Sequence, residues 1–149
     1  MNHVSRNHPY VVNFCLTVRE HLARQGTELT EGVARHFVAG LLDALWEFTS
    51  LYAPAGDVGR FSDADLATAV EWPHEAGELV EMLVAAGLLL RSEPHRLIVA
   101  DWSQRADAAC HQFVADQGIA FADGEPANRK PRRSSKAGRQ SSMAAPAVR

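Results

Sequence analysis

No apolar run in this 149-residue chain approaches the roughly 20 residues that span a bilayer. The N-terminus has no basic start followed by an apolar core, so neither a membrane nor a secretory role is expected. Cysteine is scarce: Cys15 and Cys110 each fall in a helical pattern and read as buried, reduced thiols of a cytoplasmic protein. A phosphate-cradling glycine loop is missing too, because Gly56-Asp57-Val58-Gly59 carries an acid and is followed by no Lys. The histidines are scattered. Cys110 and His111 are adjacent and so point to different helix faces, whereas a chelating pair on a helix needs a spacing of three or four. Glu78 and Glu81 share a face but have no His or Cys beside them. No enzyme, metal or cofactor is expected from this inventory, and no internal repeat is visible. Lysine is nearly absent as well, with 2 Lys against 13 Arg. We read that as a sign of a GC-rich genome and draw no mechanism from it.

What is present is an ordered series of short elements from Ser62 to Trp102. Ser62 is placed to accept from an orphan amide of a first helical turn. Asp65 stands three residues on at the capping-box position, and the acids suit the positive helix end. Leu66, Ala67 and Val70 form a narrow apolar stripe. Trp72-Pro73 interrupts it, and since proline belongs in a first turn, a second helix is expected to begin near Pro73. Leu79, Val80, Leu83 and Val84 recur at helical spacing and Gly87 fits the C-terminal cap. Leu88-Leu89-Leu90, a turn at Ser92-Glu93-Pro94-His95, and Arg96 to Ala100 read as a hairpin. Helix, turn, helix, strand, turn, strand is the order of a winged helix-turn-helix.

Flanking helices complete a core. Glu31 to Leu51, with Thr30 as N-cap, places Phe37, Val38, Leu41, Leu42, Leu45, Trp46 and Thr49 on one face and Arg35, His36, Asp43 and Glu47 on the other. Trp46, Trp72 and Trp102 read as core residues. Val11, Val12, Phe14, Cys15, Val18 and Leu22 predict an N-terminal helix between Pro9 and Gly26. The β-branched Val residues leave a strand from Tyr10 to Leu16 as the alternative. Ser103 to Gln117 reads as one helix capped by Asp101 or Ser103, with Ala106, Ala109, Cys110, Phe113 and Val114 inward. The expected class is mainly α (α+β): a winged-helix domain over residues 1–122, with the helix-turn-helix at 62–87 and the wing at 88–101. A disordered basic tail is expected over 123–149.

Leu41-Leu42-Asp43-Ala44-Leu45-Trp46, then Phe61-Ser62-Asp63-Ala64-Asp65-Leu66-Ala67, Trp72-Pro73, Glu78 to Leu89 and Val99-Ala100-Asp101-Trp102 carry a resemblance. The stretch from about Glu20 to Gln112 resembles the winged-helix group of phage-type replication proteins, similar to the N-terminal domain of DnaD-like replisome organisers. Many members have His before Asp-Trp, where this chain has Ala100. The resemblance implies a bacterial or phage-infected cell, a nucleoid-associated role in phage or prophage DNA replication, DNA binding and self-association.

Charge divides the chain. Residues 1–128 hold 8 Arg against 18 acids, and residues 129–149 hold seven cations and no acid. From Phe61 to Leu90 there are six acids (Asp63, Asp65, Glu71, Glu75, Glu78, Glu81) and no Lys or Arg. Carboxylates facing phosphates repel them, so sequence reading by the second helix of the turn is not expected. The expected phosphate contacts are Arg91, His95 and Arg96 on the wing, with Arg129, Lys130, Arg132, Arg133, Lys136 and Arg139 in the tail. They predict weak, largely sequence-independent DNA binding. The tail has too few apolar side chains to offset the entropy of ordering. The alternative is an adaptor that uses Glu75, Glu78 and Glu81 to dock a basic protein partner such as a replication component. A transcriptional regulator is the third reading, weakened by the acidic helix. A homodimer through Val11, Phe14 and Val18 is a further expectation, and a membrane partner is not.

Overall fold

The computed structural model of the chain describes residues 8–128. They form α1 (Pro9–Arg24), α2 (Glu31–Tyr52), a 3-10 turn (Val58–Arg60), α3 (Asp63–Ala69), α4 (Ala76–Ala85), β1 (Leu89–Ser92), β2 (Arg96–Val99), α5 (Trp102–Arg105) and α6 (Ala108–Asp116). This is a mainly helical body with one antiparallel hairpin after α4, an order consistent with a winged-helix-like arrangement. Of the tail expected over 123–149, residues 129–149 lie outside the described residues. Among the described residues no helix is long and apolar enough to cross a membrane.

The N-terminal segment is a helix, because its apolar residues return every three or four positions rather than every two. Pro9 occupies the first turn, His8 caps it, and Val11, Phe14, Cys15, Val18 and Leu22 face the core. Val11, Phe14 and Val18, expected to meet a second copy, are instead buried within the chain. Helix α2 is the central support. Thr30 Oγ1 accepts from the Val33 amide at 3.3 Å, and Val38, Leu41, Leu42, Leu45 and Trp46 line its inner face. All three tryptophans are core residues, and the Trp102 indole donates to Pro54 O at 2.9 Å. Filling that space is worth on the order of 3 kcal/mol.

Helix α3 opens with a reciprocal capping box between Ser62 and Asp65, each bond 3.1 Å. It ends in a Schellman turn: the Glu71 amide bonds to Thr68 O and the Trp72 amide to Ala67 O. Glu71 sits there at φ 55, where glycine is the usual residue. Glu71→Gly is therefore expected to stabilise the protein by about 1 kcal/mol in urea unfolding; an unchanged or lower midpoint would refute it. After this turn Trp72 is driven under α1 and α2, and its indole donates to Glu75 O at 3.2 Å. The chain from Pro73 to Glu75 spans that distance, so α4 begins at Ala76 and not near Pro73 as its residue type suggested. Gly87, at φ 80, closes α4 with its amide on Val84 O and the Leu88 amide on Leu83 O.

In the hairpin, Leu89 faces Val99 and Ser92 faces Arg96. The Val99 amide also bonds to Gly56 O at 3.0 Å, which seats the wing on the loop after α2. Beyond the wing the single helix expected over 103–117 is broken. Ala106 is extended, and Asp107 starts α6 by accepting from the Cys110 amide at 2.9 Å. Neither Asp101 nor Ser103 caps by its side chain; instead Asp123 accepts from both the amide and the hydroxyl of Ser103. The restart leaves Cys110 and Val114 buried and turns Ala109 and Phe113 outward. Residues 121–128 fold back on the body: Phe121 is buried, the Ala122 amide bonds to Ala55 O at 2.8 Å, and the Asn128 amide bonds to His111 Nδ1 at 3.0 Å. The domain boundary drawn at residue 122 falls inside this segment.

Candidate nucleic-acid interface

Arginines placed at a hairpin tip are free to meet phosphates only if the fold leaves them unpaired. Here Arg91 forms an ion pair with Glu81 across the face shared by β1 and α4. Arg96 is a clamp: its Nε donates to Gly59 O at 3.0 Å, Nη1 to Asp63 Oδ1 at 2.7 Å and Nη2 to Phe61 O at 2.6 Å. These bonds hold Arg96 at φ 64, a left-handed backbone across which the Leu97 amide bonds to His95 O at 2.8 Å. Removing the clamp while keeping the strain, as in Arg96→Ala, is expected to cost about 2 kcal/mol. Arg96→Gly relieves the strain and recovers about 1 kcal/mol of that. Urea midpoints decide it, and equal losses in the two variants would contradict this account. His95 stands half-buried on the turn itself.

The other arginines follow the same pattern. Arg19 donates to Leu29 O at 2.9 Å, Arg35 pairs with Glu31 at 2.7 Å, and Arg60 donates to Tyr52 O while lying over the Phe61 ring. Arg105 is buried with its guanidinium 4.9 Å from the Trp46 ring centroid, and burial pulls its pKa down. Six of the seven described arginines thus engage the protein's own groups, leaving Arg24 in the last turn of α1. The pairs on the surface add little stability singly, but each occupies donors that a phosphate would otherwise take.

Helix α4 buries Leu79, Val80, Met82 and Leu83. Its outward strip carries Glu75 and Glu81, both exposed, with Glu78 half-buried beside them. Glu78 Oε2 lies 3.2 Å from His21 Nε2, at ion-pair distance but without hydrogen-bond alignment. His21 is buried among the rings of Trp72 and His74, each 5.8 Å away. Of the three acids expected to dock a partner, Glu78 and Glu81 therefore already face His21 and Arg91 of the same chain, and Glu75 at the helix N-cap position faces neither. The tail residues Arg129, Lys130, Arg132, Arg133, Lys136 and Arg139 lie outside the described residues.

No family model, curated protein or solved structure matches the chain. The site therefore rests on chemistry alone. Among the described residues no group of three His, Cys, Asp or Glu side chains is placed to hold a metal ion.

The two thiols are free and buried. Burial raises the pKa of both, and that of Cys110 is pushed from 9.0 to about 11, with Asp107 adding to the shift. A raised folded-state pKa means that the unfolded chain loses its thiol proton first. Stability is therefore expected to fall as pH rises from 9 toward 11, less so in Cys110→Ala. At neutral pH a thiol reagent should label neither cysteine until the protein unfolds; labelling of the native protein would contradict this burial.

The interface has features that sequence reasoning missed. In the sequence Gly59 stands out only in a loop that fails as a phosphate cradle, yet its carbonyl receives Arg96 and its position leaves no room for a Cβ against the wing backbone. No local pattern marks such a residue, because its partners are 36 to 38 positions away.

Proposed function

We propose that this chain is a small non-enzymatic DNA-associating protein, an accessory of phage- or prophage-type replication, with a winged helix-turn-helix body and a phosphate-gripping segment at residues 129–139. The observation that carries this reading is the fate of the arginines. The folded body engages six of its seven described arginines with its own carbonyls, carboxylates and aromatic faces. The cations left to meet a polyanion are concentrated outside it, where seven stand without an intervening acid. An acidic α4 supports the same division, since it disfavours groove reading by the helix that usually performs it. Binding of this kind gives register-free contact to phosphates with little base information. The wing adds to it only where a phosphate displaces Glu81 from Arg91 or Asp63 from Arg96.

Electrophoretic mobility shifts at low salt test the reading. The full chain should retard duplex DNA of unrelated sequences equally, and a full-length variant with Gln at Arg129, Lys130, Arg132, Arg133, Lys136 and Arg139 should not. Sequence-selective binding that survives in the Gln variant would return the regulator reading. Failure of both proteins to bind would leave the adaptor, for which Glu75 is the acid still available.

A further inference from the structure

The link between α3 and α4 meets α1 at a group of donors that the protein's own bonding leaves incomplete. His21, in the last turn of α1, has its side chain only 10% exposed, and its Nε2 has no hydrogen-bond partner. A buried polar atom in that state is costly, and native proteins keep few of them. Glu78 Oε2 of α4 lies 3.2 Å from this nitrogen. His74, half-buried on the link, sets its ring edge-on to that of His21, with centroids 5.8 Å apart. Trp72 closes one side, its ring 5.8 Å from each imidazole.

These separations suit a shared ion. Two N or O ligands of a tetrahedral zinc ion stand roughly 3.3 Å apart. His21 Nε2 and Glu78 Oε2 match that distance and lack the alignment of a hydrogen bond. Two imidazoles on one zinc ion have ring centroids roughly 5 Å apart, against 5.8 Å between His21 and His74, a gap that rotation of the His74 side chain closes. As they stand the three donors do not surround one point; two are set, and the third completes the site on binding. The surroundings favour a cation. Glu71 borders the same open pocket as His74, Glu75 is exposed beside it, and no Lys or Arg occurs from Phe61 to Leu90. Arg24, three residues on in α1, is exposed, so solvent screens its charge.

We propose that His21 Nε2, Glu78 Oε2 and an imidazole nitrogen of His74 bind one zinc ion, with water in the fourth position. Two nitrogens and a carboxylate oxygen form a donor set that suits zinc, whereas magnesium and calcium take oxygen ligands. The ion clasps the end of α1 to α4 and to the link before it, and it places positive charge against an acidic helix. The assignment does not depend on DNA binding.

Zinc added to the full chain tests it. Calorimetry should find one site per chain, and the ring protons of His21 and His74 should shift together in NMR spectra. The melting temperature should rise by roughly 10 °C at a hundredfold excess over the dissociation constant. Magnesium at the same concentration should produce none of these effects. Glu78→Gln and His74→Gln, both at partly exposed positions, should fold as the parent does and each weaken zinc at least about tenfold. His36→Gln, at an exposed position of α2, should leave zinc binding unchanged. Zinc binding that survives both Glu78→Gln and His74→Gln, or shifts at His36 or His95 in place of His21, would overturn the proposal. So would a chain that responds to zinc no more than to magnesium, which would leave His21 and Glu78 as a plain ion pair.

Discussion

Gly59→Ala is expected to unfasten the wing, lowering the stability by about 3 kcal/mol and the melting temperature by about 10 °C. A Cβ at this position would lie 1.9 Å from His95 O, 2.3 Å from Leu97 N and 2.9 Å from Leu97 O. All three atoms are backbone, so no rotamer change relieves the clash, and the 3-10 turn and the hairpin must separate. Separation also breaks the Arg96 bond to Gly59 O and pulls on the bonds to Phe61 O and Asp63. The matched control is Gly40→Ala in the interior of α2, where a Cβ meets nothing within 4 Å. It should stabilise by about 0.5–1 kcal/mol through helix propensity. Thermal melts followed by circular dichroism read both. Should Gly59→Ala melt with the parent protein, the close crossing of turn and wing is not a feature of the folded state.

The second large effect concerns salt. Replacing the six cations from Arg129 to Arg139 by Gln should reduce the slope of log K against log salt by roughly 5 units on duplex DNA, since each neutralised phosphate contributes about 0.9. Nonspecific affinity at low salt then falls by orders of magnitude, while base composition of the probe changes little. Fluorescence anisotropy over a salt series measures the slope. A slope that stays the same after the substitutions would mean that the body supplies the contacts. That outcome requires Arg91 and Arg96 to exchange Glu81 and Asp63 for phosphates, and the charge-assisted bonds at 2.7 and 2.6 Å oppose it at Arg96.

Local grammar made much of this fold legible. Thr30, Ser62-x-x-Asp65 and Gly87 each cap where their chemistry requires, and most of the apolar residues at helical spacing in α1, α2 and α4 are buried, while Val12 is exposed. Local grammar failed where a tertiary demand outweighed it. Pro73 suited a helix start, but burial of Trp72 displaced that start to Ala76. The run from 103 to 117 looked continuous, but Asp107 offered a better cap and the break at Ala106 reset the helix. The charge imbalance between body and tail was visible by counting. The pairing within the body was not, because Arg96 meets Asp63 across 33 residues and Arg91 meets Glu81 across 10, distances at which a sequence gives no register.

The tie from Arg96 to the 3-10 turn has a practical side. A two-stranded ribbon has little stability of its own, and this one is fastened at its base by Val99 on Gly56 and at its returning strand by Arg96. The tip at Glu93 and Pro94 is exposed, before the chain reaches the His95 carbonyl that crosses Gly59. An epitope or fluorophore-binding peptide spliced in there lengthens a free end. A single residue added between 57 and 61 shifts every anchor of the guanidinium at once, so the molecule offers one permissive splice point and one forbidden one within the same substructure.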